Sequence, residues 1–171
     1  MLKNRKLLLS MLGAILLYAI IQLASLPQLS QAAAGIKLPE SAWLGYDKDY
    51  ILAFLTQLGA AGRSYYLYIQ LPLDTLFPLT LAYMSLEVFR TYLPGKTYLS
   101  LLPILAFSAD YLENGGLLHC LLSFPNLSQT VVGLASVASV IKHLTLTLLL
   151  LLVLFVLGKT FFRFLFLRSD T

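Results

Sequence analysis

Asp110, Glu113 and Asn114 stand at i, i+3 and i+4 inside an otherwise apolar run from Ala106 to Cys120. On a helix that spacing puts two carboxylates and an amide on one face. Carboxylates set among apolar residues hold or pass a proton, bind a cation or basic ligand, or pair with a lysine. Two further stretches offer partners of the same kind. Asp74 lies between Pro72 and Pro78, and Lys142 lies beside His143 in the middle of a long apolar segment. Arg63 falls roughly on the face that carries Gln70, Asp74, Phe77, Leu81 and Ser85 if that stretch is helical. The candidate site is therefore Asp74, Asp110, Glu113, Asn114 and Lys142, with Arg63 at its mouth.

Other chemistries find less support. Gly95-Lys96-Thr97 and Gly158-Lys159-Thr160 resemble the end of a phosphate-binding loop, but Arg90 and Val153 stand where its first glycine is needed. His119 points about 180° away from Asp110 on a helix, toward the interface. A metal site of His119, His143 and Glu113 has no supporting spacing. Lys142 as a Schiff-base lysine rests on one lysine alone. Asn126-Leu127-Ser128 fits a glycan acceptor, yet it hugs the ends of two apolar runs. Cys120 is the single cysteine, which excludes an intrachain disulfide. No Ser/His/Asp or Cys/His set singles out a nucleophile, so the sequence names neither a catalytic group nor a cofactor.

The elements that must position these residues follow from composition. The chain has 171 residues, 58% of them hydrophobic and 12% charged, which favours a helical membrane protein over a soluble domain. Its net charge of +4 is scattered at loop ends rather than gathered on one face, so nucleic acid is not an expected partner. Four apolar stretches read as spans, at 7–26, 64–89, 98–122 and 130–157. The first competes with a signal peptide, because Lys3, Arg5 and Lys6 precede it and Ala32-Ala33-Ala34 follow. Its twenty residues exceed the usual apolar region of about 7–15, which favours an uncleaved helix. Between the first two spans, Asp47 is suited to N-cap an amphipathic helix at 47–58, with Tyr50, Ile51, Phe54, Leu55 and Leu58 on one face. That helix is expected on the membrane surface, ended by Gly59-Ala-Ala-Gly62-Arg63. The fold class expected is an all-α integral membrane four-helix bundle, a single domain over 1–171.

Lys3, Arg5, Lys6, Arg90, Lys96, Lys159, Arg163 and Arg168 collect on one side of such a bundle, against Lys37, Lys48 and Arg63 on the other. The positive-inside rule then places both termini in the cytoplasm. Counting helix rise, Asp74, Asp110 and Lys142 all fall near the midplane, with Glu113 one turn further out. Four ionisable groups facing lipid would cost on the order of 10–14 kcal/mol, so they are expected to meet each other.

From Gly59 to Lys142 the chain resembles a family of small bacterial four-helix membrane proteins of uncharacterised function. The matching residues are Leu58-Gly59-Ala-Ala-Gly62-Arg63-Ser-Tyr65, Leu73-Asp74-Thr-Leu-Phe77-Pro78, Asp110-Tyr-Leu-Glu113-Asn114 and Lys142. The resemblance implies a bacterial inner-membrane setting and a four-span layout, and no activity. Gly115-Gly116 after the motif departs from helix-favouring residues and is expected to loosen the third span. The function expected is a polytopic membrane protein whose midplane cluster binds a small ligand, lipid headgroup, proton or cation. The runner-up is a structural or accessory subunit of a larger membrane complex, docked through the uncharged run 144–157, with the cluster serving only helix packing. An enzyme acting on a lipid ranks third.

Overall fold

The computed structural model describes residues 5–167 as helices and short connections, with no strand among them. Lys3 and Arg168, counted above, lie outside the described residues. Helix α1 is Arg5–Ala32. After a connection holding a single 3-10 turn at Pro39–Ser41 comes α2, Lys48–Tyr65. A π turn at Tyr66–Gln70 leads directly into α3, Leu71–Tyr92. Helix α4 is Leu101–Ser123 and α5 is Gln129–Leu167. Helix α3 touches α1, α4 and α5, and the broadest contact runs between α4 and α5.

The first helix does not stop at residue 26. Pro27 lacks an N–H and its ring crowds the carbonyl four residues back, at Leu23. That carbonyl lies in a π turn, Ile21–Ser25, which widens the helix and lets it continue to Ala32. Pro72 repeats the device, since the carbonyl it crowds belongs to Tyr68 in the π turn Tyr66–Gln70. The two π turns touch each other. The π turn absorbs the crowding at Pro72 and delivers Gln70 to the interior.

Asp47 caps α2 as expected, its carboxylate accepting from the Tyr50 amide at 2.8 Å. Gly59, at φ 63° and ψ −177°, breaks the helix in a conformation open essentially to glycine alone. The apolar face of α2 is not laid on a membrane surface. Ile51, Phe54, Leu55 and Leu58 are buried against Leu29, Leu71, Leu117, Leu127 and Val132, closing one end of the bundle. Each such side chain contributes about 1.5–3 kcal/mol through burial. The gain comes from protein contacts, so α2 is a cap.

The interior is layered. One apolar cluster surrounds α2 at the capped end. A second, built on Leu7, Ala14, Met84, Val88, Phe89, Ala106, Leu149 and Val153, fills the opposite end. Along α4 the buried residues run Ala106, then Asp110, Glu113 and Asn114, then Leu117 and Cys120. Along α5 they run Val132, then Ser139, Lys142 and His143, then Leu149. Both helices thus bring their polar residues to one level between two apolar layers. The four expected long helices are present, and two of them, Arg5–Ala32 and Gln129–Arg163, are long and apolar enough to cross a membrane. Helices α3 and α4, whose apolar runs the carboxylates interrupt, are not.

Candidate functional site

Helix phase decides which side chains enter the polar layer. Asp110, Glu113 and Asn114 share the inner face of α4, while Tyr111 and Leu112 point outward. On α5, Ser139, Lys142 and His143 occupy the inner face. Lys142 Nζ lies 3.4 Å from Asp110 Oδ1 and in direct contact with Glu113 Oε2. Asn114 donates from Nδ2 to Asp110 Oδ2 at 2.9 Å. Tyr46 reaches in from the connection and donates to Glu113 Oε1 at 3.4 Å. Glu113 is fully buried, and Asp110 and Lys142 are 3% and 6% exposed. A buried lysine between two carboxylates is committed to them, because removing it strands two buried charges.

Asp74 makes a second group. Gln70, fully buried in the π turn, donates from Nε2 to Asp74 Oδ2 at 2.6 Å. Opposite is Glu40, a carboxylate carried by the connection between α1 and α2. Its Oε1 accepts from the Tyr66 hydroxyl at 2.6 Å. Tyr66, which holds Glu40, and Gln70, which holds Asp74, stand one helical turn apart, so the two carboxyl groups come close enough to act on each other. Burial drives the Glu40 carboxyl above its ordinary range, only partly offset by the Tyr66 hydrogen bond. Burial, then the charge of Glu113, keeps the Tyr46 phenol protonated.

The connection that carries Glu40 is strapped across the layer. His143 Nε2 lies 3.1 Å from the Glu40 carbonyl, and Nδ1 lies 2.8 Å from the Ser139 carbonyl. Trp43 packs on the His143 ring at 5.1 Å between centroids. The Tyr46 amide donates to Ser136 Oγ at 2.8 Å. Gly45 makes this approach possible, since a Cβ there would fall 2.5 Å from Ser136 Oγ.

The expected residues Asp74, Asp110, Glu113, Asn114 and Lys142 therefore meet in one layer, and Arg63 does not join them. Its guanidinium donates to the Leu55 carbonyl at 2.8 Å and lies 4.2 Å over the Phe124 ring. There it closes the end of α2 that Gly59 breaks. His119 is exposed on the far side of α4, while His143 holds the strap. Sequence reading missed Glu40, Tyr46 and Tyr66. None of them follows a helical period shared with the acidic motif, and Glu40, with Asp47 and Asp49, reads as balancing Lys37, Lys48 and Arg63 on the outer side. The one available clue is that Trp43 and Tyr46 set two aromatic side chains in this connection, of which Tyr46 reaches the layer while Trp43 stays largely exposed.

Chemically, the layer supplies carboxylates, an ammonium, phenols and amides, with no activated nucleophile. Among the described residues no three His, Cys, Asp or Glu side chains are grouped so as to hold a metal ion. Comparison of the chain with protein-family models, curated proteins and solved structures found no match.

Proposed function

We propose that this is a four-span integral membrane protein of the bacterial inner membrane, both termini cytoplasmic, whose buried polar layer is a binding site for a proton, a cation or a small basic ligand. One observation carries the reading: four carboxylates, Glu40, Asp74, Asp110 and Glu113, converge from three parts of the chain on a single lysine. Lys142 pairs directly with Asp110 and Glu113 and acts on Glu40 and Asp74 only as a more distant charge, so neither of those two has a salt-bridge partner among the described residues. Buried negative charge of that kind calls for a positive ligand or a proton.

The spans are supported by what faces outward. Leu12, Ile15, Leu16 and Leu23 of α1 are exposed, as are Leu76, Leu79 and Tyr83 of α3. So are Leu105, Leu112 and Leu122 of α4 and Leu144, Leu151 and Phe155 of α5. Apolar surface on all four helices, around a polar interior, suits hydrocarbon as the solvent. Eleven of the twelve Lys and Arg residues stand outside the expected spans, eight of them on the side of the termini and three on the other, which suits the orientation.

Native mass spectrometry of the gently extracted protein beside Asp110→Asn tests the pocket. A small adduct on the wild type that the variant loses supports it. A bare chain in both, with intact folding, overturns ligand binding beyond the proton. The accessory-subunit reading has its own observation, an apolar groove of about 720 Å³ on the outer side of α4 and α5, lined by Ala109, Gly116, Ala135 and Ala138 among others. Cross-linkers placed at Leu134 and Val137 would then trap a protein partner, and capture of lipid alone would count against it.

A further inference from the structure

The Glu40–Asp74 half of the layer is short of donors as well as of positive charge. Gln70 is fully buried, and while its Nε2 serves Asp74, its Oε1 has no hydrogen-bond partner. Glu40 Oε2 is likewise buried without a donor. Two ionised carboxylates side by side bring acceptors only, so ionising both adds repulsion and leaves both orphaned oxygens unmet. One proton shared by the pair answers the carboxyl side of this deficit, meeting Glu40 Oε2, while Gln70 Oε1 stays an unmet acceptor beside it. The proton supplies a hydroxyl donor, removes one negative charge, and converts the facing carboxyls into a donor–acceptor pair.

We propose that Glu40 and Asp74 form a proton-binding site, one proton being shared between their carboxyl groups, reached from the end of the bundle that the Glu40 connection covers. The inference rests on the binding-site reading above and names the ligand. Loading takes one proton from water and turns two carboxylates into a carboxylic acid bonded to a carboxylate. Release returns that proton to water and leaves both groups ionised. The surroundings of the pair carry both donors and charges, Glu113 of α4 among them on the far side of Tyr66 and Tyr46. Tyr66 and Gln70 donate to it from the segment that leads into α3. Asp110 on α4 adds a negative charge, and Lys142 on α5 a positive one. His143 holds the Glu40 carbonyl rather than its carboxyl, and Tyr46 and Tyr50 face Glu40 as phenols. The strap made by Trp43, Gly45 and Tyr46 keeps Glu40 in place.

Infrared difference spectroscopy across a pH titration, on the full chain in zwitterionic lipid vesicles, tests this directly. The wild type is expected to show the C=O stretch of a protonated carboxyl that vanishes as pH rises. Glu40→Gln and Asp74→Asn each remove the like-charge neighbour and offer an amide donor in its place. In each, the midpoint should move down by about one pH unit or more. Tyr66→Phe removes a donor to the carboxylate form, so it should move the midpoint up. Gel filtration confirms that each variant keeps the folded size, and Tyr66→Phe keeps the test alive if a carboxyl variant does not fold. A wild type with no such band at any pH overturns the proposal, as does a midpoint unmoved in both carboxyl variants, or a band bleached by sodium chloride at constant pH. A band that behaves as expected without any adduct in the mass spectrum leaves the shared proton standing and removes the larger ligand. An adduct without the band does the reverse.

Discussion

Lys142 is the residue on which the layer turns, because it alone answers the two carboxylates of α4. Lys142→Met removes the ammonium and leaves Asp110 and Glu113 buried without compensation. Loss of one partner from a buried pair costs about 3–5 kcal/mol. The expected result is a sharp drop in the unfolding midpoint in detergent, and adding Glu113→Gln should recover part of it by removing one stranded charge. If Lys142→Met unfolds with the wild type, the contacts at Lys142 contribute little. Glu40 predicts a pH dependence of definite sign. Its folded pKa lies above the ordinary value of 4.5, with burial as the first cause. Above 4.5 the folded state holds the proton more tightly than the unfolded chain, so stability falls as pH rises through the folded pKa. Glu40→Gln should flatten that decline in pH-dependent denaturation curves, and an unchanged slope would assign it to other groups. At this scale the sequence was legible where residues share a helix. The i, i+3, i+4 spacing announces the α4 triad, and Lys142 announces its partner. Glu40 was not legible, because the path of a connection is set by contacts distant in sequence.

The elements explain why two adjacent glycines in α4 do different work. Sequence reading expects Gly115-Gly116 to loosen the helix, yet α4 runs unbroken through both. A Cβ at Gly115 would meet nothing within 4 Å, whereas one at Gly116 would fall 2.5 Å from the Ala135 Cβ. Gly116 therefore sets the close approach of α4 to α5, which carries Lys142 to Glu113. Gly115→Ala should raise stability by about 1 kcal/mol through helix propensity. Gly116→Ala should lower it by about 1–3 kcal/mol through overpacking, and pairing it with Ala135→Gly should restore it. Thermal unfolding of the four proteins decides, and equal effects at both glycines would refute the packing argument. Helix capping at Asp47 and the break at Gly59 were legible because each is a local, single-residue effect. The π turns were not. A proline inside an apolar run predicts a disturbance of the helix, while the form it takes depends on neighbouring helices, here on the contact between the two π turns.

For the whole molecule, the layered interior ties membrane topology to the site. The Lys6, Lys96 and Lys159 end packs around Leu7, Phe89, Leu99 and Leu157, and the opposite end packs around Leu38, Phe124 and Leu127. The four-span reading puts these ends on opposite sides of a bilayer, with Glu40 entering from the second. If only α1 and α5 crossed, Leu44, Lys96 and Asn126 would share one side, and the carboxylates of α3 and α4 would have no reason to lie at one depth with Lys142. Single cysteines separate the two arrangements. Cys120 is 1% exposed, and replacing it with alanine gives a silent background. Leu44→Cys and Asn126→Cys should react with a membrane-impermeant maleimide on intact cells. Lys96→Cys and Lys159→Cys should react only once the membrane is opened. Labelling of Lys96→Cys from outside together with Asn126→Cys would mean that α3 and α4 do not cross. The polar layer would then face an aqueous compartment through the whole bundle, and a proton would need no entry route past the strap.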